Sequence, residues 1–266
     1  MNFKSLSHMA KIYRVQLKNN WVREAVYRTN FLTAVATDII WIIIEFSLFT
    51  VLYANIKTMA GWSLPQVYFF LGVFFASDAL FTIFFQRNFW NFSDLVNKGE
   101  LDILLTKPVS PVFLAMCRWM NLSAALDILL GVGIMIRYGS AAGFEGGWKW
   151  LIVAFWLLLG LIVAILIRFA FSIWVFWTDR SWAISRLYYQ FFQIATKPDS
   201  IYPGIMRYVI LTALPFGFIA SVPARAVLFG LSSREYIALA VVLVSFTVFN
   251  AVMWKKGLRR YQSASS

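Results

Sequence analysis

The sequence predicts an all-α integral membrane protein with six transmembrane helices, an N-terminal interfacial amphipathic helix and a re-entrant outer hairpin before the last helix. Three observations predict it. Of 266 residues 61% are hydrophobic and only 14% charged, against about 25% charged in an ordinary soluble domain. The apolar residues fall in runs close to the length that crosses a hydrocarbon layer about 30 Å thick. The net charge of +12 gathers at the ends, at Lys4, Lys11, Arg14, Lys18, Arg23 and Arg28, then Lys255, Lys256, Arg259 and Arg260. Basic residues flanking apolar spans mark the cytoplasmic side and meet anionic headgroups there. A nucleic-acid module needs a folded soluble face, and no segment is long enough to supply one.

Residues 2–28 set Phe3, Leu6, Ile12, Val15, Leu17, Trp21 and Val22 against the basic positions at helical spacing. This predicts a helix lying in the cytoplasmic interface. Span 1 covers 31–53, and a short outer loop holds Lys57 and Gly61. Span 2 covers 64–85, and a polar stretch follows over 87–111. Span 3 covers 112–136, a Gly-rich turn 139–147, and span 4 150–177. Span 6 covers 236–254 and ends against Lys255 and Lys256.

Two readings stand for 182–230, where Pro198, Pro203, Pro215 and Pro223 interrupt the helical pattern. Span 5 lies at 182–198 with a broken hairpin dipping back into the outer leaflet, or 182–196 is interfacial and span 5 lies at 205–229. Both give six crossings. The organisation is then a cytoplasmic interfacial helix (1–28), a six-helix transmembrane domain (29–254) and a short basic cytoplasmic tail (255–266). Residues 87–111 and 179–186 face inward, and the loops near 57–64, 138–148 and 199–207 face outward. A seventh crossing would export the basic tail, against the charge rule.

No residue set suits hydrolysis. Cys117 and His8 are the sole cysteine and histidine, so no internal disulfide and no Cys/His metal cluster can form. His8, alone among basic neighbours, reads as an interfacial spectator. No Gly-x-x-x-x-Gly-Lys-Ser/Thr loop occurs, so ATP, if used, binds another chain. The basic region is too long for a cleavable signal, and no internal repeat suggests an inverted-repeat transporter.

Five ionisable residues fall inside spans: Asp38 and Glu45 in span 1, Asp78 in span 2, Asp127 in span 3 and Arg168 in span 4. Such charges are costly and face protein or water. The seven-residue step from Asp38 to Glu45 puts both on one helix face. Asp38, Asp78 and Arg168 each lie about 12 Å in from the cytoplasmic span ends, while Glu45 and Asp127 sit nearer the midplane. Equal depth predicts that Arg168 pairs with Asp38 or Asp78. Such a group can fix helix packing, line a substrate path or relay protons.

Within the polar stretch, Asp94 to Lys98 can form a short helix stopped by Gly99, and Leu101, Ile103, Leu104 and Leu105 give a second small apolar face before Pro108 and Pro111. A charged, capped, amphipathic element suits docking against a soluble partner. The same pattern fits a surface loop whose leucines tuck under the bundle.

The segment Gly-Glu-Leu-Asp-Ile-Leu-Leu-Thr-Lys-Pro at 99–108 resembles the loop of bacterial type-2 ABC-transporter permeases, in the branch of ABC-2 family transporter proteins formerly catalogued as a domain of unknown function. The Tyr202-Pro203 turn, the Pro215 to Pro223 segment and the tail Trp254-Lys-Lys-Gly-Leu-Arg-Arg-Tyr resemble the same branch. The resemblance implies a permease of the bacterial inner membrane with both termini cytoplasmic, paired as a homodimer or with a sister permease. Two cytoplasmic ABC ATPase subunits bind below and hold the ATP and Mg; this chain needs no cofactor. It further implies that 1–28 is the connecting helix, that 205–230 is a re-entrant hairpin, and that 87–108 carries the coupling helix. Asp94, Lys98, Gly99, Glu100, Asp102, Lys107 and Pro108 are the coupling candidates, with Glu100 and Asp102 chosen for charge and position. Two other classes compete with this exporter permease: an ion-coupled secondary transporter using the intramembrane carboxylates, and a membrane-anchored assembly subunit.

Overall fold

The alternation of basic and apolar residues near the N-terminus does form a helix, α1 (Phe3–Val26). In this computed structural model, which describes residues 3–26, 28–178 and 181–261, every regular element is helical. Asp179, the final Ser-Ala-Ser-Ser of the predicted tail and the side chain of His8 lie outside the described residues.

The first span is α2 (Arg28–Tyr53). Next comes α3 (Leu64–Phe81), opened by a capping box between Ser63 and Gln66 with Pro65 in its first turn. It does not end near 85. A π-helical turn, Thr82–Gln86, leads into α4 (Arg87–Asn97), giving one apolar helix from Leu64 to Asn97. No proline occurs between Pro65 and Pro108, so the helix runs until Gly99 turns the chain at φ 74°. The short helices α5 (Leu101–Leu105) and α6 (Pro111–Met116) follow.

Predicted span 3 is corrected here. The chain leaves the helical path over 117–121 and resumes, through a 3-10 turn at Leu122–Ala124, as α7 (Ala125–Ala142). The remaining elements are α8 (Lys149–Ser172), α9 (Ser181–Phe192), α10 (Ile205–Leu211), α11 (Ser221–Leu228) and α12 (Ser233–Arg260). A 3-10 turn extends α8 to Phe176 and another extends α9 to Thr196.

Among the described residues, five helices are long and apolar enough to cross a membrane: Phe31–Tyr53, Leu64–Asn97, Leu122–Ala142, Lys149–Phe176 and Ser233–Arg260. The second is central. Its apolar window is 78% buried, against 11% for the first and 17% for the last. Around it the helices meet through small residues, which let backbones approach closely where lipid gives no hydrophobic drive to association. A Cβ on Gly131 of α7 would lie 2.7 Å from the Gly72 carbonyl oxygen of α3 and 2.8 Å from the Ala76 nitrogen. Gly257 of α12 lies flat against the Phe176 ring, with no room for a side chain.

Between α9 and α12 the chain folds inward. Its turn at 216–220 is fully buried and presses on the middle of α8, where a Cβ on Gly160 would lie 2.8 Å from the Ile219 oxygen. At 1.5 Å per residue, Gly160 is roughly 16 Å along α8 from Lys149.

Candidate functional site

The predicted coupling element is a rigid, capped corner. Lys98 N–H donates to the Asp94 carbonyl at 2.9 Å and Gly99 N–H to that of Val96 at 3.2 Å, closing α4. Asp102 N–H then donates to the Gly99 carbonyl at 3.3 Å and starts α5. Leu95, Val96, Leu101 and Leu104 are buried and anchor the corner. Outward it presents Asp94, Lys98, Glu100, Lys107 and Pro108, with Ile103 61% and Leu105 39% exposed. The Lys98 ammonium is held above the usual lysine range by its 2.9 Å bond to Asp94 and by that carboxylate's charge. Asp102 turns another way, half-buried beside the Tyr261 side chain at the end of α12. Gly99 supplies the backbone turn.

The intramembrane charges divide into three groups. Asp38 of α2, Asp78 of α3 and Asp127 of α7 lie close enough for their carboxyl groups to interact. Asp127 sits in the first turn of α7, not near the midplane, because the break at 117–121 starts that helix late. Glu45, 4% exposed, accepts from Lys197 at 3.2 Å; it and Asp38 thus serve different partners.

Arg168 corrects a second expectation. It pairs with neither Asp38 nor Asp78. Its guanidinium carbon lies 4.4 Å from the Tyr188 ring centroid, 5.2 Å from that of Tyr189 and 6.0 Å from that of Phe89. Nη2 donates to Ser185 Oγ at 3.4 Å, while Nε and Nη1 are buried without a hydrogen-bond partner. Equal depth along the helices says nothing about azimuth, and α9 brings aromatic faces to the guanidinium instead.

The break at 117–121 is built by one side chain. Asn88, 1% exposed, accepts from the Arg118 and Trp119 N–H groups at 3.1 and 2.8 Å and donates to the Trp119 and Phe84 carbonyls at 2.7 and 2.9 Å. Asn121 N–H donates to the Ile83 carbonyl at 2.9 Å, an acceptor within the π turn. Cys117 lines an apolar cavity of 490 Å³ with Phe85, Phe113 and Phe169. Burial pushes its thiol up to about 11, which leaves roughly a hundredth of the thiolate that an ordinary cysteine carries at neutral pH. Maleimide should therefore label Cys117 about a hundredfold more slowly in the folded protein than after SDS denaturation, with mass spectrometry as readout; equal rates would disprove the buried setting.

The sequence reading missed a polar network opposite the coupling corner. Asp199 is fully buried and accepts from Arg207 Nε at 2.8 Å, from Arg225 Nε at 3.0 Å and Nη2 at 3.2 Å, and from Ser221 Oγ. Arg225 also pairs with Glu235 at the start of α12. Trp62 Nε1 donates to Ser200 Oγ at 2.8 Å, joining the network to the loop before α3. Its only sequence signal is charge beside turn-forming prolines, which surface loops share. No two of its charges have a regular spacing.

Over residues 39–265 the chain matches the family model described as ABC-2 family transporter protein. No curated protein and no solved structure matches it.

Proposed function

The chain belongs to the ABC-2 family transporter proteins, a multi-pass membrane component of ABC transporters, and from that membership we propose that it is the permease subunit of an exporter driven by separate ATPase subunits. The exposed corner at 94–108 carries this reading. Its leucines are buried, so the loop is firmly seated, yet Ile103, Leu105 and Glu100 project from it. A firm element levered by closure of an ATPase dimer is a sound way to move a bundle that has no fuel of its own.

The membrane path supports six crossings, with Ser181–Thr196 as the fifth. Its 16 residues span about 24 Å, and Lys197 at its end meets Glu45 well along α2. Residues 199–230 then form a re-entrant hairpin against Gly160 on the outer side. Both termini and the coupling corner lie in the cytoplasm at the bacterial inner membrane, and α1 is the connecting helix. The sparsely buried α2 and α12 face lipid and a second permease, identical or sister. Rocking of the two protomers passes an amphipathic or hydrophobic substrate outward.

Glu100 and Ile103 are exposed on the corner and Asp102 only half so, and the test therefore uses Glu100→Lys with Ile103→Asp. Loss of two central interface contacts of the kind that each contribute at least about 1 kcal/mol should cut ATPase co-purification tenfold or more, with the gel-filtration profile unchanged. Undiminished association and ATPase stimulation would refute the coupling assignment. The grouping of Asp38, Asp78 and Asp127 favours a second reading, proton-coupled transport. Collapse of the proton gradient with ATP present stops transport in that case and spares it in the first.

A further inference from the structure

The broken segment at 117–121 carries a feature that neither coupling nor the carboxyl group uses. Three guanidiniums converge on the Trp119 indole: Arg23 from α1 at 4.7 Å from the ring centroid, Arg118 at 5.1 Å and Arg87 from α4 at 5.2 Å. Two points each within 5.2 Å of one centroid lie at most twice that distance apart. That separation is comparable with the screening length of about 8 Å at physiological salt, so the three positive fields add. Among the described residues no carboxylate pairs with Arg87 or Arg118.

The convergence is built in. Asn88 clamps both Arg118 and Trp119 through their backbones. Asn20 of α1, 3% exposed, donates to the Arg118 carbonyl at 3.2 Å, and Arg23 donates to that of Met120 at 3.1 Å. Two polar side chains buried to this degree position an otherwise irregular segment, and three like charges with it. Cation–π contact leaves the N–H donors of Arg87 and Arg118 open to a phosphate oxygen pair, and the charge of Arg23 adds to theirs. Arg87 and Arg118 are exposed and Trp119 half-buried.

We propose that Arg23, Arg87 and Arg118 on Trp119 form a binding site for the phosphate of an anionic lipid headgroup. The level in the membrane selects lipid over soluble phosphate. Arg118 lies just before the apolar helix that starts at Leu122, and Arg23 before the one that starts at Phe31. Tryptophan and arginine at such a boundary sit among headgroups. Closing around a headgroup would join α1, α4 and the start of α7 through one ligand.

The test is native mass spectrometry of the full chain released from nanodiscs containing phosphatidylcholine with phosphatidylglycerol. Wild-type protein should retain one tightly held phosphatidylglycerol, and each arginine removed should weaken retention about five-fold. The double variant Arg87→Gln, Arg118→Gln uses two exposed positions, and Arg87→Lys with Arg118→Lys should be intermediate because charge stays while the planar fork goes. Equal retention by wild type and the glutamine variant overturns the site. Protection from thermal unfolding in detergent by millimolar inorganic phosphate, with displacement of the lipid, assigns the arginines to a soluble anion and overturns the lipid source. Loss of ATPase co-purification with lipid retention unchanged makes them a protein contact and also overturns it.

Discussion

Replacing Asp199 with alanine is expected to destabilise the protein by about 3–5 kcal/mol, the usual consequence of removing one partner of a buried ion pair. The magnitude follows from what is left behind. Arg225 is 9% exposed and gives two of its nitrogens to Asp199; with that carboxylate gone, Glu235 is the one acid of the network left against the two charges of Arg225 and Arg207. Ser221 and Arg207 lose their acceptor at the same time. Asp199→Asn keeps an acceptor but not the charge and should fall between wild type and alanine. Pairing Asp199→Leu with Arg225→Met should recover part of the loss, since a buried ion pair can often be replaced by apolar groups of similar volume. Denaturation midpoints in mixed micelles with increasing SDS would measure all four. A cost for Asp199→Ala below about 0.5 kcal/mol, the range of ordinary surface substitutions, would mean that the network does not hold the 199–230 segment in place.

A second large effect is expected where α3 and α7 touch. Valine at Gly131 puts atoms where the Gly72 oxygen and the Ala76 backbone already stand. Backbone cannot rotate aside as a side chain can, so the helices must separate. Overpacking commonly costs about 1–3 kcal/mol, and backbone contact on both sides puts this site at the upper end or beyond. Gly133 is the internal control, two residues along the same helix with nothing within 4 Å of its would-be Cβ. Gly133→Val should be neutral or stabilising by a few tenths of a kcal/mol, because valine is a better helix former than glycine. Detergent-solubilised thermal stability, read by fluorescence-detected gel filtration, should separate the two variants widely. Equal melting temperatures would contradict the close approach of these helices.

Some of this was legible in the chain before any coordinates. The helices at 31–53, 149–176 and 233–260 stand where apolar runs end at charge, Gly or Pro, because hydrocarbon has no partner for an exposed backbone group and every spanning residue must be helical. The Gly99 corner was equally plain, since a glycine between two helical patterns is where a left-handed residue costs least. Composition also excluded a soluble core.

What the sequence by itself determined, then, is local and one-dimensional: which stretches are apolar enough to cross, and where the chain must turn. Tertiary structure decided everything that depends on azimuth and on distant backbone. Arg168 shares a depth with two carboxylates yet faces Tyr188 and Tyr189. Asp38 found Asp127 only because Asn88, thirty residues before the break, pulls 117–121 out of a helix that hydropathy alone would continue. Hydropathy sums transfer free energy along a line. A hydrogen bond from one buried amide across two chain segments adds a term that no window along that line contains, and here it moved a helix start, a carboxyl pair and three arginines together.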